Sequence, residues 1–282
     1  MADTLLQLYP DSRTHPLRGL YLAQRLHELG SAEQPFVYGN FVSSFDGRIA
    51  LRDPDSGQSH VPETLTSESD FRLLLELMAQ ADCLITHGGY LRALARGRLD
   101  DILQVGGATG HEDLAAWRTA QGLRPQPAIC IVSGSLDFPI PESIRGDDQE
   151  VFVATGESAD AARVRALETE GYEVVRAGGG TMVEGRPLVE ELARRGLRSA
   201  FLLGGPRLLE TMLRHGVLAR LYVTLTHHLL GGEHFHSMIE GPQLHGAGRL
   251  KLAALYLEQT SPAGTGQFFA QFEPLPVEDV EP

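Results

Sequence analysis

Short apolar runs alternate with amphipathic stretches over most of the chain, from Phe36 to about residue 226. A run of about four to eight apolar or β-branched residues predicts a buried strand, and apolar residues recurring every three or four positions predict a helix that faces a core. Their alternation is typical of a wound α/β sheet. The predicted strands are 36–42, 82–86, 128–133, 150–154, 173–176, 199–203 and 220–226, and the predicted helices are 67–80, 88–96, 111–121, 158–170, 186–195 and 206–215, with Ser67 and Ser158 as helix starts.

Both ends of the chain depart from this alternation. Residues 1–34 carry apolar side chains at helical spacing up to Leu29, followed by Gly30, which predicts an amphipathic N-terminal helical extension. Residues 250–257 and 266–273 are too short for helices and predict a closing antiparallel strand pair. The glycine and proline residues are spread evenly, so we expect one domain over 35–273 and a flexible tail over 274–282.

Charge, cysteine content and the lack of long apolar stretches limit the classes of function that the chain can have. The formal net charge is -13 with a pI near 5.3, and no dense run of Lys and Arg occurs, so nucleic acid is not an expected partner. Cys83 and Cys130 each lie in an apolar run and are predicted to be core residues rather than a disulfide. No signal peptide or membrane-length apolar stretch is visible, which predicts a cytoplasmic protein without a membrane partner.

Two predicted strands end in glycine pairs that open the next helix. Thr86 is followed by Gly88 and Gly89, and the strand 199–203 is followed by Gly204, Gly205, Pro206 and Arg207. Glycine allows close backbone approach, and the first amide groups of a helix attract phosphate. Each turn alone serves plain chain reversal as readily as phosphate binding.

Two further segments place polar side chains after a strand. Ser133 closes the apolar run at 128–132, where a hydroxyl can hold an adenosine ribose or its phosphate. Ser43, Ser44 and Asp46 follow the strand that begins at Phe36. A lone Asp-Gly pair is more often a turn former than a functional acid, so neither segment is decisive by itself.

In this order and at these spacings, the segments resemble the pyrimidine reductases of riboflavin biosynthesis. That family has a dihydrofolate-reductase-like α/β fold, with a mostly parallel central sheet, helices on both faces and a C-terminal antiparallel strand pair. The likeness extends over about residues 36–272. The segments that carry it are Ser44-Phe45-Asp46-Gly47-Arg48-Ile49-Ala50, Ser67 to Arg72, Ala81-Asp82-Cys83-Leu84-Ile85, Gly204-Gly205-Pro206 and Leu229-Leu230-Gly231-Gly232.

The resemblance implies an NADPH-dependent reductase that transfers hydride from the nicotinamide to a small heterocyclic substrate, pyrimidine or pterin-like, in a homodimer. Asp46 is then the catalytic residue, and no metal is implied. The implied cofactor-binding residues are Val42, Thr86, Gly88, Gly89, Ser133, Gly204, Gly205, Pro206, Arg207 and Leu208. The implied substrate-binding residues are Ser43, Ser44, Asp46, Gly231 and Gly232.

Three alternatives stay open at this point, of which a Ser-His-Asp hydrolase is a minor one, because Ser133-Gly134-Ser135 lacks the flanking glycine pattern of a nucleophile elbow. Tyr90 stands where the family usually has Thr, and Leu203 stands where it usually has Glu, so the chain could be a catalytically silent nucleotide-binding protein of the same fold. A histidine cluster also suggests a metal site, although its spacing differs from the helical zinc motifs. The clustered histidines are His227, His228, His234 and His236.

Overall fold

The computed structural model describes residues 3–54, 57–145 and 149–276. Its strands are β1 (Thr4–Tyr9), β2 (Arg13–Pro16), β3 (Phe36–Ser44), β4 (Arg48–Arg52), β5 (Ser59–His60), β6 (Cys83–His87), β7 (Ala128–Val132), β8 (Val151–Thr155), β9 (Glu173–Arg176), β10 (Ser199–Leu202), β11 (Arg220–Thr226), β12 (Phe235–Ser237), β13 (Leu250–Glu258) and β14 (Gln267–Pro274). Its helices are α1 (Glu68–Met78), α2 (Gly88–Ala95), α3 (Asp113–Ala120), α4 (Ala161–Thr169), α5 (Gly185–Arg194) and α6 (Pro206–Arg214).

The chain divides into two compact units. The first unit contains the chain up to Gln24, Tyr38–Leu74 and the chain from Gly205 onward, and the second contains Arg25–Val37 and Leu75–Gly204. The extension 1–34 and the domain 35–273 therefore do not coincide with these units, and they stay predictions. Of the predicted tail 274–282, residues 277–282 lie outside the described residues.

The second unit is built on an all-parallel sheet in the order β10-β6-β7-β8-β9. Every residue of β7 is buried, as the continuous apolar run Ala-Ile-Cys-Ile-Val predicts for a strand covered on both faces. Cys83 and Cys130 are buried free thiols in neighbouring strands, and burial raises the pKa of both. The prediction that they are core residues is confirmed.

The first unit contains a mixed sheet in the order β2-β1-β13-β14-β11-β3, in which β3 and β11 are parallel and the other pairs antiparallel. The predicted C-terminal strand pair is confirmed, because β13 and β14 pair from Leu250↔Pro274 to Glu258↔Gln267. A separate three-stranded antiparallel sheet, β12-β4-β5, completes the unit and was not predicted.

The predicted N-terminal helix is wrong. The segment instead forms the β1–β2 hairpin, whose strand β1 pairs with β13 through Leu6↔Leu257, and two short 3-10 turns follow it. Gly19 and Arg25 have φ values of 85° and 50°, in the left-handed region, which interrupts a helix. Leu17 and Leu26 are buried nevertheless. The apolar residues of this segment are therefore spaced as they are because they are buried, and not because they lie on one face of a helix.

One of the two predicted helix starts is correct. The Ser67 hydroxyl accepts a hydrogen bond from the Asp70 amide at 3.0 Å, which caps α1. Ser158 does not cap α4, because Asp160 does so by accepting from the amides of Ala162 and Arg163 at 2.7 and 3.2 Å. Serine and aspartate are both typical N-cap residues, and α4 begins after Asp160 rather than after Ser158. Among the described residues, no helix has the length and apolar character needed to cross a bilayer.

Asp70 is a buried carboxyl group in the first unit, and its titration should affect stability. It accepts a hydrogen bond from Thr224 Oγ1 at 2.5 Å, while burial, reinforced by the charge of Glu258, raises its pKa from 3.8 to about 6. The folded state therefore keeps a proton that the unfolded state releases between about pH 4 and pH 6. The free energy of unfolding falls as the pH rises through this window, by up to about 3 kcal/mol from this group.

Asp70→Asn should remove this contribution, because the amide cannot ionise and its oxygen can still accept from Thr224. Urea unfolding at pH 4 and pH 7 measures the difference, with the exposed Asp11→Asn as the control. An Asp70→Asn protein that lost as much stability as the wild type between these pH values would show that Asp70 is not the responsible group.

Candidate functional site

The carboxyl ends of β10, β6 and β7 lie side by side in the second unit. The register pairs Leu202 with Ile85 and His87 with Val132, and the Leu203 amide donates to the Ile85 carbonyl at 2.9 Å. Gly88 follows β6 directly and Gly204 follows β10 by two residues, so both glycine turns emerge at the same edge of one parallel sheet. Ligands of open α/β sheets bind at this edge.

Gly88 is the first residue of α2 and is closely surrounded. A Cβ atom placed on it would lie 2.9 Å from Phe138 Cδ1 and 3.1 Å from Ser133 Oγ. Only glycine therefore keeps the backbone of the first turn this close to Ser133. The first amides of α2 point toward its N-terminus, where a helix attracts anions.

Thr86 lies two residues before this turn and is completely buried. Its hydroxyl has no hydrogen-bond partner within the described residues. A buried hydroxyl without a partner costs on the order of 1–3 kcal/mol, so native proteins rarely leave one without a reason. Thr86 thus lies beneath the Gly88 turn with an unsatisfied hydroxyl that the protein encloses.

Arginine side chains supply positive charge around the Ser133 turn. Arg92 donates to the Asp137 carbonyl at 2.6 Å, and Arg163 donates to the Ser135 carbonyl at 3.1 Å. The Arg92 side chain also lines a depression of about 460 Å³ together with Arg96, Leu136 and Phe138. Arg163 also pairs with the Asp137 carboxylate, at 3.4 Å, so Arg92 and Arg96 supply the positive charge that would attract an anion to this edge.

His87 occupies the last position of β6, immediately before Gly88. Burial, with a smaller contribution from Arg92, lowers the pKa of His87 to about 4. The ring is therefore neutral at neutral pH, and the positive charge at this edge comes from the arginines.

Asp46 is the centre of a hydrogen-bonded turn between β3 and β4 in the first unit. Its carboxylate accepts from Ser44 Oγ at 2.5 Å and from the amides of Leu230 and Gly231 at 3.2 and 2.9 Å, and it forms an ion pair with Arg48 at 2.7 Å. These contacts, led by the Ser44 hydroxyl, lower the pKa of Asp46 to about 2. With this lowered pKa the group is a carboxylate at neutral pH, so it is placed as a hydrogen-bond acceptor.

The glycines around this turn are required by the backbone. Gly231 and Gly232 have φ values of 64° and 90°, and Gly47 has a φ of 83°, all in the left-handed region that other residues rarely adopt. The conformation at 231–232 aims the Gly231 amide at Asp46. The structure thus brings Ser44, Asp46 and Gly231 together, as the sequence predicts for a substrate-binding group.

The other predicted site residues of the first unit do not form one hydrogen-bonded group. Ser43 is buried and its hydroxyl donates to the Ser44 carbonyl at 3.0 Å, while Val42 is half-buried in β3. Gly205 precedes α6 and Pro206 is its first residue, as predicted, with Leu208 buried on the inner face of the helix. The side chain of Arg207 is 81% exposed, and its Nε lies 4.0 Å from a Glu240 oxygen.

Arg48, Arg92 and Arg163 are the candidate residues that the sequence-derived set does not contain. Arg48 donates to the carbonyls of Asp46 and Gly232, and its guanidinium lies 4.3 Å from the centre of the Phe235 ring. Its signal was present in the sequence, because it follows Asp46 in the same turn. No sequence motif indicates Arg163, because it lies on α4, far along the chain from the Ser133 turn that it contacts.

The histidine cluster does not converge on one point. His227 Nδ1 bonds to the Thr265 carbonyl and His228 Nε2 to the Thr265 hydroxyl, at 3.0 and 2.9 Å, whereas His236 bonds to Ser59 and Glu240. Within the described part of the chain, no group of three or more His, Cys, Asp and Glu residues is arranged to hold a metal ion.

Comparison with known proteins agrees with this arrangement. The family model described as the RibD C-terminal domain matches residues 35–263. The 2,5-diamino-6-ribosylamino-4(3H)-pyrimidinone 5′-phosphate reductase of Archaeoglobus fulgidus is 25% identical over 208 residues, which cover 74% of this chain and 87% of that protein. The reductase of the same name from Methanothermobacter thermautotrophicus is 24% identical over 74% of this chain and 85% of that protein.

Solved structures show the same fold. A pyrimidine reductase-like protein from Corynebacterium diphtheriae superposes with a TM-score of 0.63 at 20% identity, covering 86% of this chain and 93% of that one. The riboflavin biosynthesis reductase Rib7 of Saccharomyces cerevisiae has a TM-score of 0.53 at 13% identity, covering 91% and 99%. The predicted reductase-type α/β fold is confirmed, and the chain belongs to the RibD C-terminal domain family.

Proposed function

We propose that this protein is a reductase that acts on a ribosylaminopyrimidinone 5′-phosphate or a closely related heterocycle, with NADPH as the hydride donor. The observation that carries the proposal is the edge of the second unit, where the ends of three parallel strands present two glycine turns and a serine side by side. The substrate class follows from the curated relatives, which are reductases of such a compound.

The residues at this edge fit a dinucleotide phosphate. The Gly88 turn and the N-terminus of α2 would hold the pyrophosphate, with Thr86 supporting the turn from within β6. Gly204 and Gly205 would allow close approach of a second part of the ligand. When bound, the nicotinamide supplies the hydride, and the protein's own residues supply binding, orientation and exclusion of water.

The preference for NADPH over NADH rests on the Ser133 turn. Ser133 Oγ accepts from the Leu136 amide at 3.0 Å, so its own proton remains available to a phosphate oxygen. Arg92 binds the Asp137 carbonyl and adds positive charge nearby, while Arg163 binds the Ser135 carbonyl and pairs with the Asp137 carboxylate. An arginine and a serine hydroxyl of this kind accommodate a ribose 2′-phosphate.

The Asp46 group would bind the heterocycle in this proposal. A carboxylate held by Ser44, Arg48 and the 230–231 amides is fixed in position, so it can orient an amino or amide N–H of the substrate. Its lowered pKa, about 2, favours this orienting role, as a hydrogen-bond acceptor, over that of a proton donor. The homodimer implied by the family resemblance also stays a prediction.

Two measurements test the function. We expect NADPH to raise the melting temperature more than NADH does, because a ligand bound only by the folded state stabilises it in proportion to its affinity. We also expect NADPH oxidation that depends on addition of 2,5-diamino-6-ribosylamino-4(3H)-pyrimidinone 5′-phosphate. NADPH binding without turnover on this compound or on a pterin would favour the silent nucleotide-binding protein, and absence of binding by either nucleotide would overturn the proposal.

A further inference from the structure

The depression beside the Gly88 turn lies entirely within the second unit and has the properties of a ligand subsite. Its volume is about 460 Å³, and it is lined by Arg92, Ala95 and Arg96 and by the segment 136–139. Pockets for small molecules occupy roughly 300–1,000 Å³ and combine apolar walls with a few polar groups. The depression is therefore large enough for one part of a nucleotide.

The depression begins at the turn that the proposed function assigns to the pyrophosphate. A Cβ atom on Gly88 would lie 2.9 Å from Phe138 Cδ1 and 3.4 Å from Arg92 Nη1, so residues that line the depression also surround the turn. Gly88 opens α2, and Arg92 and Arg96 follow at intervals of four residues, on one face of the helix. A ligand held at Gly88 by its phosphates can therefore extend along this face into the depression.

The segment 136–139 forms an apolar wall of the depression. Leu136 has a φ of 54°, in the left-handed region, and the Ser133 hydroxyl accepts a hydrogen bond from its amide at 3.0 Å. A side chain in this conformation costs free energy, and backbone strain of this kind is concentrated at ligand sites. The ring of Phe138 adds a flat apolar surface against which a ribose or a purine can pack.

The arginines near the depression differ in what they already bind. Arg92 donates to the Asp137 carbonyl at 2.6 Å, while Arg163 donates to the Ser135 carbonyl at 3.1 Å and pairs with the Asp137 carboxylate at 3.4 Å. Among the described residues, by contrast, the guanidinium of Arg96 has no hydrogen-bond or ion-pair partner, and the residue is exposed. Its five N–H donors are therefore open to a ligand anion.

The direction of the helix places the Arg96 side chain toward the nucleotide turn. Arg96 stands at the C-cap of α2, one turn or about 5.4 Å beyond Arg92. Side chains of a helix slope toward its N-terminus, so the Arg96 guanidinium is directed back toward Arg92, and both line the depression. The planar guanidinium of arginine matches a phosphate group and can bind it through two parallel hydrogen bonds.

We propose that Arg96, together with Arg92, binds the 2′-phosphate of NADPH in this depression and is the residue that makes NADPH the preferred cofactor. The inference rests on the proposed function, because it assigns a place to the adenosine end of the same dinucleotide. NADPH and NADH differ only in this phosphate. A residue that contacts it therefore changes the affinity for NADPH and leaves the affinity for NADH as it is.

Arg96→Gln measures the contribution of the charge. Glutamine keeps a polar side chain that a helix accepts but cannot pair with a phosphate, so we expect NADPH to bind at least about tenfold more weakly and NADH to bind as it does to the wild type. Isothermal titration of the full chain with each nucleotide gives the two dissociation constants. Adenosine 2′,5′-bisphosphate should lose affinity in the same way, and adenosine 5′-monophosphate should not.

Arg98→Gln is the matched control. Arg98 is exposed two residues farther along the chain and does not line the depression. Its replacement removes the same charge from the same segment, so it reports the general electrostatic effect, which salt screens between exposed groups. We expect NADPH affinity to change less than about twofold, and both variants to keep the wild-type melting temperature in the absence of nucleotide.

The inference is overturned if Arg96→Gln keeps the wild-type ratio of the two dissociation constants, if it weakens NADPH and NADH equally, or if Arg98→Gln loses as much NADPH affinity. It is also overturned if the wild type binds NADH as tightly as NADPH. In each of these cases the wild type still binds the dinucleotide, so the reductase proposal stands. A wild type that binds neither nucleotide overturns both.

Discussion

Gly88→Ala is expected to weaken NADPH binding at least about tenfold, or about 1.4 kcal/mol. The added Cβ would lie 2.9 Å from Phe138 Cδ1 and 3.1 Å from Ser133 Oγ, so the turn and the Ser133 side chain have to move apart. That movement displaces the first amides of α2 from the position in which they meet the pyrophosphate. Isothermal titration with NADPH measures the effect directly.

Gly248→Ala is the matched control for this experiment. A Cβ there makes only ordinary contact, 3.4 Å from Leu244 Cβ, and φ at Gly248 lies outside the left-handed region. The control should bind NADPH like the wild type. If Gly88→Ala also bound normally while keeping its melting temperature, the pyrophosphate would not be held at this turn.

The elements that could be predicted from the sequence are those whose pattern arises locally. Strands of the parallel sheet are buried on both faces, so they are continuous apolar runs such as Ala128–Val132. Helix α6 is amphipathic, with Leu209 and Met212 buried and Arg214 more exposed, and it begins with a proline after two glycines. Between residues 36 and 273 the predicted strands and helices were therefore found within about three residues of their observed bounds.

The hairpin β1–β2 could not be predicted because its pairing is not local. Leu6 pairs with Leu257, far along the chain, and nothing near β1 indicates that partner. The short strands β4, β5 and β12 have the same difficulty, since their pairing joins segments such as Phe235 and Leu51. A strand of two or three residues leaves almost no periodic signal.

In the candidate site, too, local motifs could be predicted and contacts between distant segments could not. The Asp-Gly turn and the glycine pairs were visible as motifs, but their partners were not. The amides that hold Asp46 come from Leu230 and Gly231, more than 180 positions later in the chain. The Ser59–His236 contact spans a similar separation. Spatial groups assembled from distant segments leave no spacing rule in a single sequence.

The direction in which a long arginine side chain points is likewise not visible in the sequence. The sequence predicts Arg207 as a cofactor-binding residue because it follows the Gly204-Gly205-Pro206 turn, and in the structure its side chain is exposed and lies near Glu240. In the second unit the cations beside the Ser133 turn are Arg92 and Arg163. Position along the chain shows which helix end a residue occupies, but not where a long, flexible side chain points.

Asp46→Asn is expected to lower kcat for the pyrimidinone substrate about a hundredfold and to leave NADPH affinity unchanged. The amide has the shape of the carboxylate, but its NH2 group must face a donor, either Arg48 or one of the 230–231 amides, so the turn loses its order. A misplaced orienting group affects the reacting geometry more than cofactor binding. Steady-state kinetics and NADPH titration on the same preparation measure the two effects.

The pH profile tells an orienting carboxylate from a proton donor. With a pKa of about 2, Asp46 is ionised throughout the range from about pH 5 to pH 9, so wild-type activity there should show no acidic transition that Asp46→Asn abolishes. Asp11→Asn, in an exposed ion pair with Arg13, controls for the loss of one negative charge and should keep full activity. A wild-type transition near neutral pH that vanished in Asp46→Asn would instead make Asp46 the acid of the reaction, with a pKa set by bound substrate.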